Sequence, residues 1–224
     1  MTLYLHEVTF QRLSAKELAE CAEIPPSIIS DELNQACCMD GGISPLAQGQ
    51  TFAGHALTVQ VMVGDNSALH HAVARAEPGD VLVVDAAGHG GSAVWGEILH
   101  SVAKTRKVAA VVIDGAVRDA AGIRRSGVPL YCRSVVPQGP HKGFGGAING
   151  PISCGGVPVR PGDLLVGDDD GVAVIRPEQT DGLFERCRGR LDAERETMRR
   201  IAAGETTVEI HGFAPPEIVA DDKT

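Results

Sequence analysis

The chain has few aromatic residues and no strongly basic segment. Its 224 residues include five Phe, two Tyr and one Trp, and its formal net charge is −9. Proteins that bind nucleic acid usually present a basic stripe, and those that bind single strands add aromatic side chains on which bases stack. The arginines within 186–190 and 199–200 alternate with Glu and Asp in a helical pattern, which is typical of a solvated helix face. We therefore expect no nucleic-acid partner.

The sequence also lacks long apolar runs and zinc-binding cysteine pairs. No run approaches the roughly 20 residues that span a bilayer, and the first ten residues do not resemble a secretory signal. The six cysteines form no Cys-x-x-Cys and no zinc-ligand spacing. We expect a cytoplasmic protein with no membrane partner, whose reduced thiols serve as small hydrophobic side chains.

Alternating strand-like and helix-like segments indicate an α/β core. The hydrophobic content of 43% and the charged content of 22% are ordinary for a globular protein. Period-2 and helical spacings predict strands at 56–63, 81–85 and 109–114, separated by helices at 67–77 and 95–105. This βαβαβ order favours parallel strands.

The pattern changes after residue 128. Gly and Pro separate short β segments, which we predict at 128–136, 157–160, 163–166 and 172–175. Such segments indicate a meander or a small second sheet beside the parallel strands. We therefore expect an α/β fold with layered β/β/α architecture, and not a plain doubly wound sheet.

Helices are predicted near both ends of the chain. Ser27 is a candidate cap for a helix at 28–36. Pro177 opens a long, charged C-terminal helix that continues through Arg200, with Gly204 as its stop.

No strong linker interrupts the sequence. We therefore predict a single domain over residues 1–204, with a helical segment at its N-terminus. Residues 205–224 are polar and contain two adjacent prolines. We expect them to form an extended C-terminal arm.

The segment Gly88-His89-Gly90-Gly91 lies between a predicted strand and a predicted helix. A glycine-rich turn in this position makes an anion site, because free N–H groups converge at the helix N-terminus. The dinucleotide motif Gly-x-Gly-x-x-Gly and the Lys-Ser/Thr pair of a P-loop are both absent. The segment favours a carboxylate-binding loop, and a tight turn without a ligand is the alternative.

The run VVIDGAVRD, residues 111–119, places Arg118 and Asp119 at the C-terminal end of a buried strand. Ligands of open α/β sheets bind at that end. Arg offers a planar fork to a carboxylate or enolate oxygen, and Asp offers a hard oxygen to Mg²⁺ or Mn²⁺. Taken alone, the two residues fit a structural ion pair better.

Glu97 follows Trp95-Gly96 and is separated from Arg118 by twenty residues, or one helix plus one strand. This interval predicts that the acid lies near the Arg–Asp pair, at the same edge of the sheet. In isolation, a Glu at the start of a helix is usually only a favourable contact with the helix dipole.

With these residues the chain resembles the class II pyruvate aldolases for 4-hydroxy-4-methyl-2-oxoglutarate and 4-carboxy-4-hydroxy-2-oxoadipate. Their signature is an acid, twenty residues and then Arg-Asp, and their superfamily also contains the regulator of ribonuclease activity A. The resemblance extends from about Ile24 to Gly204. Its landmarks are Gly64-Asp65-Asn66, Pro78-Gly79-Asp80-Val81, Trp95-Gly96-Glu97, the run 111–119, Pro161-Gly162-Asp163 and Asp168-Asp169-Asp170-Gly171.

The resemblance implies a role for each matching residue. Arg118 matches the arginine that binds the pyruvyl oxygens, and Asp119 matches the one direct protein ligand of the metal. Glu97 stands where these aldolases usually have an Asp that positions metal-bound water. Glu194 matches a glutamate that a neighbouring subunit contributes. The backbone amides that hold the substrate carboxylate correspond to a loop with the candidates Gly90, Gly91, Gly96, Glu97 and Ile98.

Two positions depart from the aldolase pattern. Glu97 is one methylene longer than the usual Asp, and Gly122 stands where the family often has an acid. Neither change removes a metal ligand. Asp119 argues against a ribonuclease regulator, because proteins of that type commonly lack the metal-binding Asp.

The resemblance implies a swivelling-domain-like, RraA-like fold and a lyase that requires Mg²⁺ or Mn²⁺. Such an enzyme cleaves a 4-hydroxy-2-oxo diacid to pyruvate and a second oxo acid. It also decarboxylates oxaloacetate, because both reactions pass through pyruvate enolate. A homotrimer or homohexamer with sites between subunits is expected.

Three other functions fit less well. A non-catalytic regulator of ribonuclease activity that binds a protein partner is the main alternative. A quinone methyltransferase would need a pocket for S-adenosylmethionine, for which the glycine-rich segment is weak support. A Schiff-base aldolase would need a lysine in an apolar strand, and none of the five lysines lies in one. His70 and His71 could approach the substrate, although helix packing is the more common role.

Overall fold

The chain forms eleven strands and seven α-helices in a computed structural model that describes residues 2–218. The strands are β1 (Leu3–Leu5), β2 (Ser44–Pro45), β3 (Phe52–Val61), β4 (Asp80–Trp95), β5 (Ala110–Val117), β6 (Leu130–Val135), β7 (Gly146–Ile148), β8 (Ile152–Cys154), β9 (Val157–Val159), β10 (Leu164–Asp168) and β11 (Gly171–Ile175). The helices are α1 (Ala15–Cys21), α2 (Pro26–Glu32), α3 (Ser67–Arg75), α4 (Glu97–Thr105), α5 (Ala120–Arg124), α6 (Leu183–Ala202) and α7 (Thr207–His211). Within residues 2–218, no helix is long and apolar enough to cross a bilayer.

A nine-stranded mixed sheet organises the molecule. Strands β3, β4, β5 and β6 are parallel neighbours in that order, and β2 forms the edge of the sheet by pairing antiparallel with β6. On its other side, β3 pairs antiparallel with β7 at one end and with β10 at the other. Strand β11 pairs with β10, and β8 and β9 form a separate hairpin. The predicted parallel strands are therefore present, but most of the predicted second group belongs to the same sheet. The segment 128–136 corresponds to β6, which pairs parallel with β5, and 163–166 and 172–175 correspond to β10 and β11, which join the sheet through β3. Only 157–160, as β9, lies in a separate hairpin.

Alternating side chains divide the core into layers. Leu82, Val84, Val111 and Ile113 face α3 and α4, whereas Val81, Val83 and Val112 face the strands β8 to β11. The outer side of β10 and β11 packs against α2 and α6. The predicted β/β/α layering is thus confirmed, and α2 and α6 form a further helical layer outside β10 and β11. Period-2 alternation in strands that are buried on both faces produces this arrangement.

Strand β4 differs most from its prediction. We expected it to end at residue 85 and a helix to begin at Trp95, with a glycine turn between them. Instead β4 continues to Trp95, and register shifts in the second half of the strand keep it paired with β5. Bulges of this kind accommodate the extra residues of a strand that is longer than the strand it pairs with.

The helices at the two ends also correct the sequence predictions. Ser27 is not a cap, because α2 begins at Pro26 and its N-cap is Pro25. Pro177 opens a single 3₁₀ turn, and the long helix α6 begins at Leu183. Gly204 follows the end of α6 with φ of +101° and terminates it as expected.

The predicted C-terminal arm is only partly described. Residues 207–211 are helical, with Thr206 as a side-chain cap, so an extended conformation is wrong for them. Residues 213–218 have no regular structure. The rest of the predicted arm, 219–224, lies outside the described residues.

His100 on α4 is buried beneath the end of β4. Trp95 Nε1 donates to His100 Nδ1 at 3.3 Å, so the ring proton lies on Nε2, which faces Ser126 Oγ at 2.6 Å. Burial lowers the pKa of His100 from its ordinary value of 6.5 to about 4. The neutral imidazole therefore locks Trp95 against α4 throughout the physiological pH range.

We expect the free energy of unfolding to fall as the pH is lowered from about 6.5 to about 4. In that window the unfolded chain binds a proton at His100 that the folded chain does not, at a cost of up to about 3 kcal/mol. Urea titrations across this range would measure the effect. The variant His100→Gln should lose most of this pH dependence, whereas His211→Gln at an exposed position should keep it. Equal pH dependence in both variants would contradict the assignment.

Candidate active site

Arg118 and Asp119 follow β5 at the carboxyl edge of the parallel strands. Asp119 has φ of +60° and ψ of +34°, a left-handed conformation that turns the chain sharply into α5. Asp tolerates this region better than most residues. The two side chains are 41% and 43% exposed, and Arg118 Nε lies 3.6 Å from Asp119 Oδ2. This loose pair leaves both groups available to a ligand, so a purely structural ion pair does not describe it.

The end of β4 brings Gly96 and Glu97 to the same place. The backbone N–H of Arg118 donates to Trp95 O at 2.9 Å, and the backbone N–H of Glu97 donates to Asp119 Oδ2 at 3.2 Å. A β-carbon at position 96 would lie only 2.6 Å from Asp119 Oδ2. Glycine at position 96 therefore leaves room for the Asp119 carboxylate beside the end of β4.

The N-terminus of α4 opens beside this pair. Gly96 is the N-cap of the helix, and the first-turn N–H groups of Ile98 and Leu99 have no partner within the helix. These donors, together with the positive end of the helix dipole, suit a carboxylate. The free helix N-terminus thus lies at Gly96 and α4, and not at the glycine turn where the sequence predicts a carboxylate-binding loop.

Gly90 and Gly91 are not brought together with Arg118 and Asp119 within one chain. They lie within the irregular second half of β4, where Gly90 is next to Ser134 and Gly91 is next to His89. Neither lines the cavity at Arg118. The glycine-rich segment is thus a bulged part of a strand, and its spacing suggested a turn because bulges and turns use the same residues.

Arg118 and Asp119 line a cavity of about 80 Å³. The remaining lining residues are Asn66, His70, Val94, Trp95, Gly96, Ile98, Leu99, Pro140 and Lys142. Asn66 is only 6% exposed and its Oδ1 has no hydrogen-bond partner. Burial, together with Lys142 and His71, lowers the pKa of His70, so its imidazole is neutral at pH 7.

Buried Asp65 holds the loop that carries Lys142. Its carboxylate accepts hydrogen bonds from Ser67 and from the backbone N–H groups of Gly143 and Phe144, at 2.7 and 3.1 Å for the last two. Burial alone would raise the pKa of Asp65, but these bonds outweigh it and hold the pKa below its usual value. A charged Asp65 thus joins α3 to the loop over the cavity.

The sequence predicts no site role for Asn66 or Lys142. Asn66 is only one of the landmarks of the resemblance, and Lys142 is only one of the five lysines that lie outside apolar strands. The Gly- and Pro-rich stretch around Lys142, between two β segments, was the available signal. The position of this loop over the cavity depends on hydrogen bonds to Asp65, about eighty residues earlier in the chain. The spacing of residues within the loop does not reveal such contacts.

The side chains of Glu97 and Glu194 lie outside the cavity lining. The Glu97 carboxylate lies beside Gly122 on α5. Glu194 is exposed on α6, in a shallow groove with Leu191 and Met198. Within one chain, therefore, Glu194 is not brought together with Arg118 and Asp119, and its role at a neighbouring subunit's site stays a prediction.

The donor set fits a water-rich Mg²⁺ or Mn²⁺ site. In the described part of the chain, no three His, Cys, Asp or Glu residues are grouped to hold a metal ion. A caged zinc site is thus not built there, whereas Mg²⁺ usually keeps several waters and takes one or two carboxylates. The half-exposed carboxylate of Asp119 meets that requirement.

A larger cavity lies at the opposite end of the sheet. Its volume is about 400 Å³, and His55 and Cys21 are on its wall. Both ring nitrogens of His55 are already bonded, to Leu13 N at 3.0 Å and to Gly162 O at 3.1 Å. The smaller cavity is the better candidate, because its Arg, Asp and helix N-terminus are free to bind a ligand.

We expect the left-handed backbone conformation at position 119 to determine how stable each substitution there is. Asp119→Asn should unfold at nearly the wild-type urea concentration, since Asn tolerates this backbone region. Asp119→Ala should lose about 1 kcal/mol, because its β-carbon clashes there without a compensating hydrogen bond. Asp119→Gly should be at least as stable as Asp119→Asn. A stable Ala variant would show that position 119 is not left-handed.

Comparison with known proteins identifies relatives of the chain. The family model described as "RraA-like: Aldolase/RraA" matches residues 27–174. A Halalkalibacterium halodurans protein named "Putative 4-hydroxy-4-methyl-2-oxoglutarate aldolase" is 42% identical over 165 residues, which cover 74% of this chain and 79% of that protein.

Solved structures with a similar fold agree with this family match. An uncharacterised Pseudomonas syringae protein has a TM-score of 0.76 at 25% identity and covers 88% of this chain and 97% of its own. Streptomyces coelicolor RraAS2, described as an unusual member of the RNase ES inhibitor RraA protein family, has a TM-score of 0.75 at 26% identity and covers 84% and 100%. The fold and the family model agree with the sequence resemblance, and the chain belongs to the RraA-like aldolase family.

Proposed function

We propose that the protein is a divalent-metal-dependent lyase that cleaves a carbon–carbon bond next to a pyruvate unit. Its substrate is a 4-hydroxy-2-oxo diacid of the 4-hydroxy-4-methyl-2-oxoglutarate or 4-carboxy-4-hydroxy-2-oxoadipate type. The products are pyruvate and a second oxo acid. Oxaloacetate is decarboxylated through the same enolate. The observation that carries the proposal is the convergence of Arg118, Asp119 and the N-terminus of α4 on one cavity.

The cavity can bind the two ends of a 2-oxo acid group separately. The free N–H groups of Ile98 and Leu99 receive the C1 carboxylate. The guanidinium of Arg118 donates to the C2 oxygen and stabilises the negative charge that grows there as the C3–C4 bond breaks. Because this charge is absent from the ground state, its stabilisation accelerates the reaction and does not merely tighten substrate binding.

Asp119 would hold Mg²⁺ or Mn²⁺ in this scheme. When bound, the metal supplies a Lewis acid for the 2-oxo acid oxygens. The Glu97 carboxylate, on the α5 side of Asp119, accepts hydrogen bonds from water and orients it toward the C4 hydroxyl proton. We further propose that a homotrimer or homohexamer forms and that Glu194 of the neighbouring copy completes this water network.

The proposal predicts pyruvate release that depends on a divalent metal. Oxaloacetate and 4-hydroxy-4-methyl-2-oxoglutarate should both yield pyruvate, EDTA should abolish the release, and Mg²⁺ or Mn²⁺ should restore it. Arg118→Ala should lower kcat about 100- to 1,000-fold, the usual loss when a donor to a developing oxyanion is removed. Arg106→Ala, at the far end of α4, should not.

A panel of 2-oxo diacids with and without EDTA tests the reaction class directly. Metal-independent turnover, or full activity in Arg118→Ala and Asp119→Ala, would contradict the assignment of the site. Metal binding is tested separately from turnover, by comparing the Mn²⁺ affinity of the wild-type protein with that of Asp119→Asn.

Lys142 should favour substrates with a second carboxylate. It lines the same cavity as Arg118, on the loop that Asp65 holds in place. We expect Lys142→Met to raise KM for a 4-hydroxy-2-oxo diacid about fivefold, which corresponds to ~1 kcal/mol for a partly exposed ion pair. The KM for 4-hydroxy-2-oxopentanoate, which has no second carboxylate, should not change, and Lys104→Met serves as the control. An equal effect on both substrates would contradict this role.

A non-catalytic regulator that binds a ribonuclease complex is the second candidate. The structural similarity to a member of the RNase ES inhibitor family favours it. Specific capture of ribonuclease complexes by the immobilised protein, without any metal-dependent pyruvate release, would support the regulator over the lyase.

A further inference from the structure

The carboxylate of Glu97 occupies space that any side chain at position 122 would need. A β-carbon at Gly122 would overlap Cδ and both carboxylate oxygens of Glu97. Glu97 is the acid at the site that departs from the usual Asp, and its extra methylene carries the carboxylate into this space. A side chain on residue 122 would force the Glu97 carboxylate to move.

The backbone gives no reason for a glycine at position 122. The residue lies in the interior of α5, and its φ is not in the left-handed region. Apart from proline, glycine is the least favourable residue in a helix interior, and alanine is the most favourable. The steric limit on residue 122 therefore comes from the neighbouring Glu97 side chain.

Gly139 has the same relation to Arg118. A β-carbon at Gly139 would lie 2.6 Å from Arg118 Nη1, closer than nonbonded atoms approach. Gly139 also has no left-handed φ. Two hydrogen bonds hold the backbone at Gly139 close to Arg118. The carbonyl of Gly139 accepts one from Ser92 Oγ at 3.1 Å, and the carbonyl of Gln138 accepts one from Ala93 N at 2.9 Å.

We propose that Gly122 and Gly139 are positioning residues that act only through Glu97 and Arg118, respectively. Glu97 and Gly122, the two departures from the aldolase pattern, then form one compensating pair: the longer acid fills the volume that a larger residue at 122 would take. The catalytic part of this inference rests on the proposed lyase function. The positioning part rests on the packing alone.

The first test substitutes Gly122. We expect Gly122→Ala to unfold at the same or a higher urea concentration, since alanine favours the helix. Its kcat for pyruvate release and its Mn²⁺ affinity should fall about 10- to 100-fold, as is usual when a group that orients metal-bound water is disturbed. In a Glu97→Ala background the same substitution should have no further effect. Glu97→Asp combined with Gly122→Ala should recover part of the loss, because the shorter acid clears the new β-carbon.

The second test substitutes Gly139, with Gly143 in the same loop as a matched control. A β-carbon at Gly143 would meet no atom within 4 Å. Gly139→Ala should weaken pyruvate binding to the Mn²⁺-loaded protein and lower kcat at least tenfold while leaving Mn²⁺ affinity unchanged, since it displaces Arg118 and not Asp119. Gly143→Ala should behave as wild type. In an Arg118→Ala background, Gly139→Ala should add nothing.

The outcomes separate this inference from the proposed function. If the wild-type protein releases no pyruvate, the lyase proposal fails, and Mn²⁺ affinity in Gly122→Ala and pyruvate binding in Gly139→Ala still decide the positioning roles. The inference is overturned if both alanine variants keep wild-type binding and kcat. It is also overturned if their effects add fully to those of Glu97→Ala and Arg118→Ala, because residues that act through one side chain cannot be additive with its removal.

Discussion

The hydrogen bond between the backbone N–H of Arg118 and Trp95 O joins the ends of the two central strands, β4 and β5. Gly96 and Glu97 follow one strand, and Arg118 and Asp119 follow the other, so this single pairing sets the spacing of the site. The contact is possible because β4 accommodates its additional residues in bulges, and the absence of a side chain at position 96 leaves room for the Asp119 carboxylate beside it. Buried Trp95 donates a hydrogen bond to neutral His100 and so connects the junction to α4.

The site is built from charges that are left incompletely paired. Arg133 shows the contrast: it donates to Asp114 and makes two bonds to Asp40, and these hold the pKa of Asp40 below its usual value. Arg118 and Asp119 are adjacent in sequence yet 3.6 Å apart and about two-fifths exposed. A saturated pair stabilises the fold, whereas the loose pair retains the capacity to bind an anion and a cation.

Most of the fold could be predicted from short-range patterns. The sequence predicts β3, β5, β6, β9, β10 and β11, the first half of β4 and the helices α3 and α4, because buried strands and amphipathic helices impose their own spacing of apolar residues. It predicts neither the short strands β1, β2, β7 and β8 nor the second half of β4. Glycines that fill bulges look like turn glycines, and only the pairing with β5 distinguishes them. The cap of α2 was also misplaced, because Pro25 and Pro26 set the helix start and Ser27 does not.

The sequence by itself determined the family and the order of the motif, since Arg118, Asp119 and Glu97 stand at an interval that one helix and one strand require. It could not show what surrounds them. The position of the loop that carries Lys142, the buried Oδ1 of Asn66 without a hydrogen bond, and the glycine packed against Arg118 all arise from contacts between distant segments. Only the tertiary structure decided these features, because van der Waals exclusion and hydrogen bonding act between atoms that are close in space, whatever their separation along the chain.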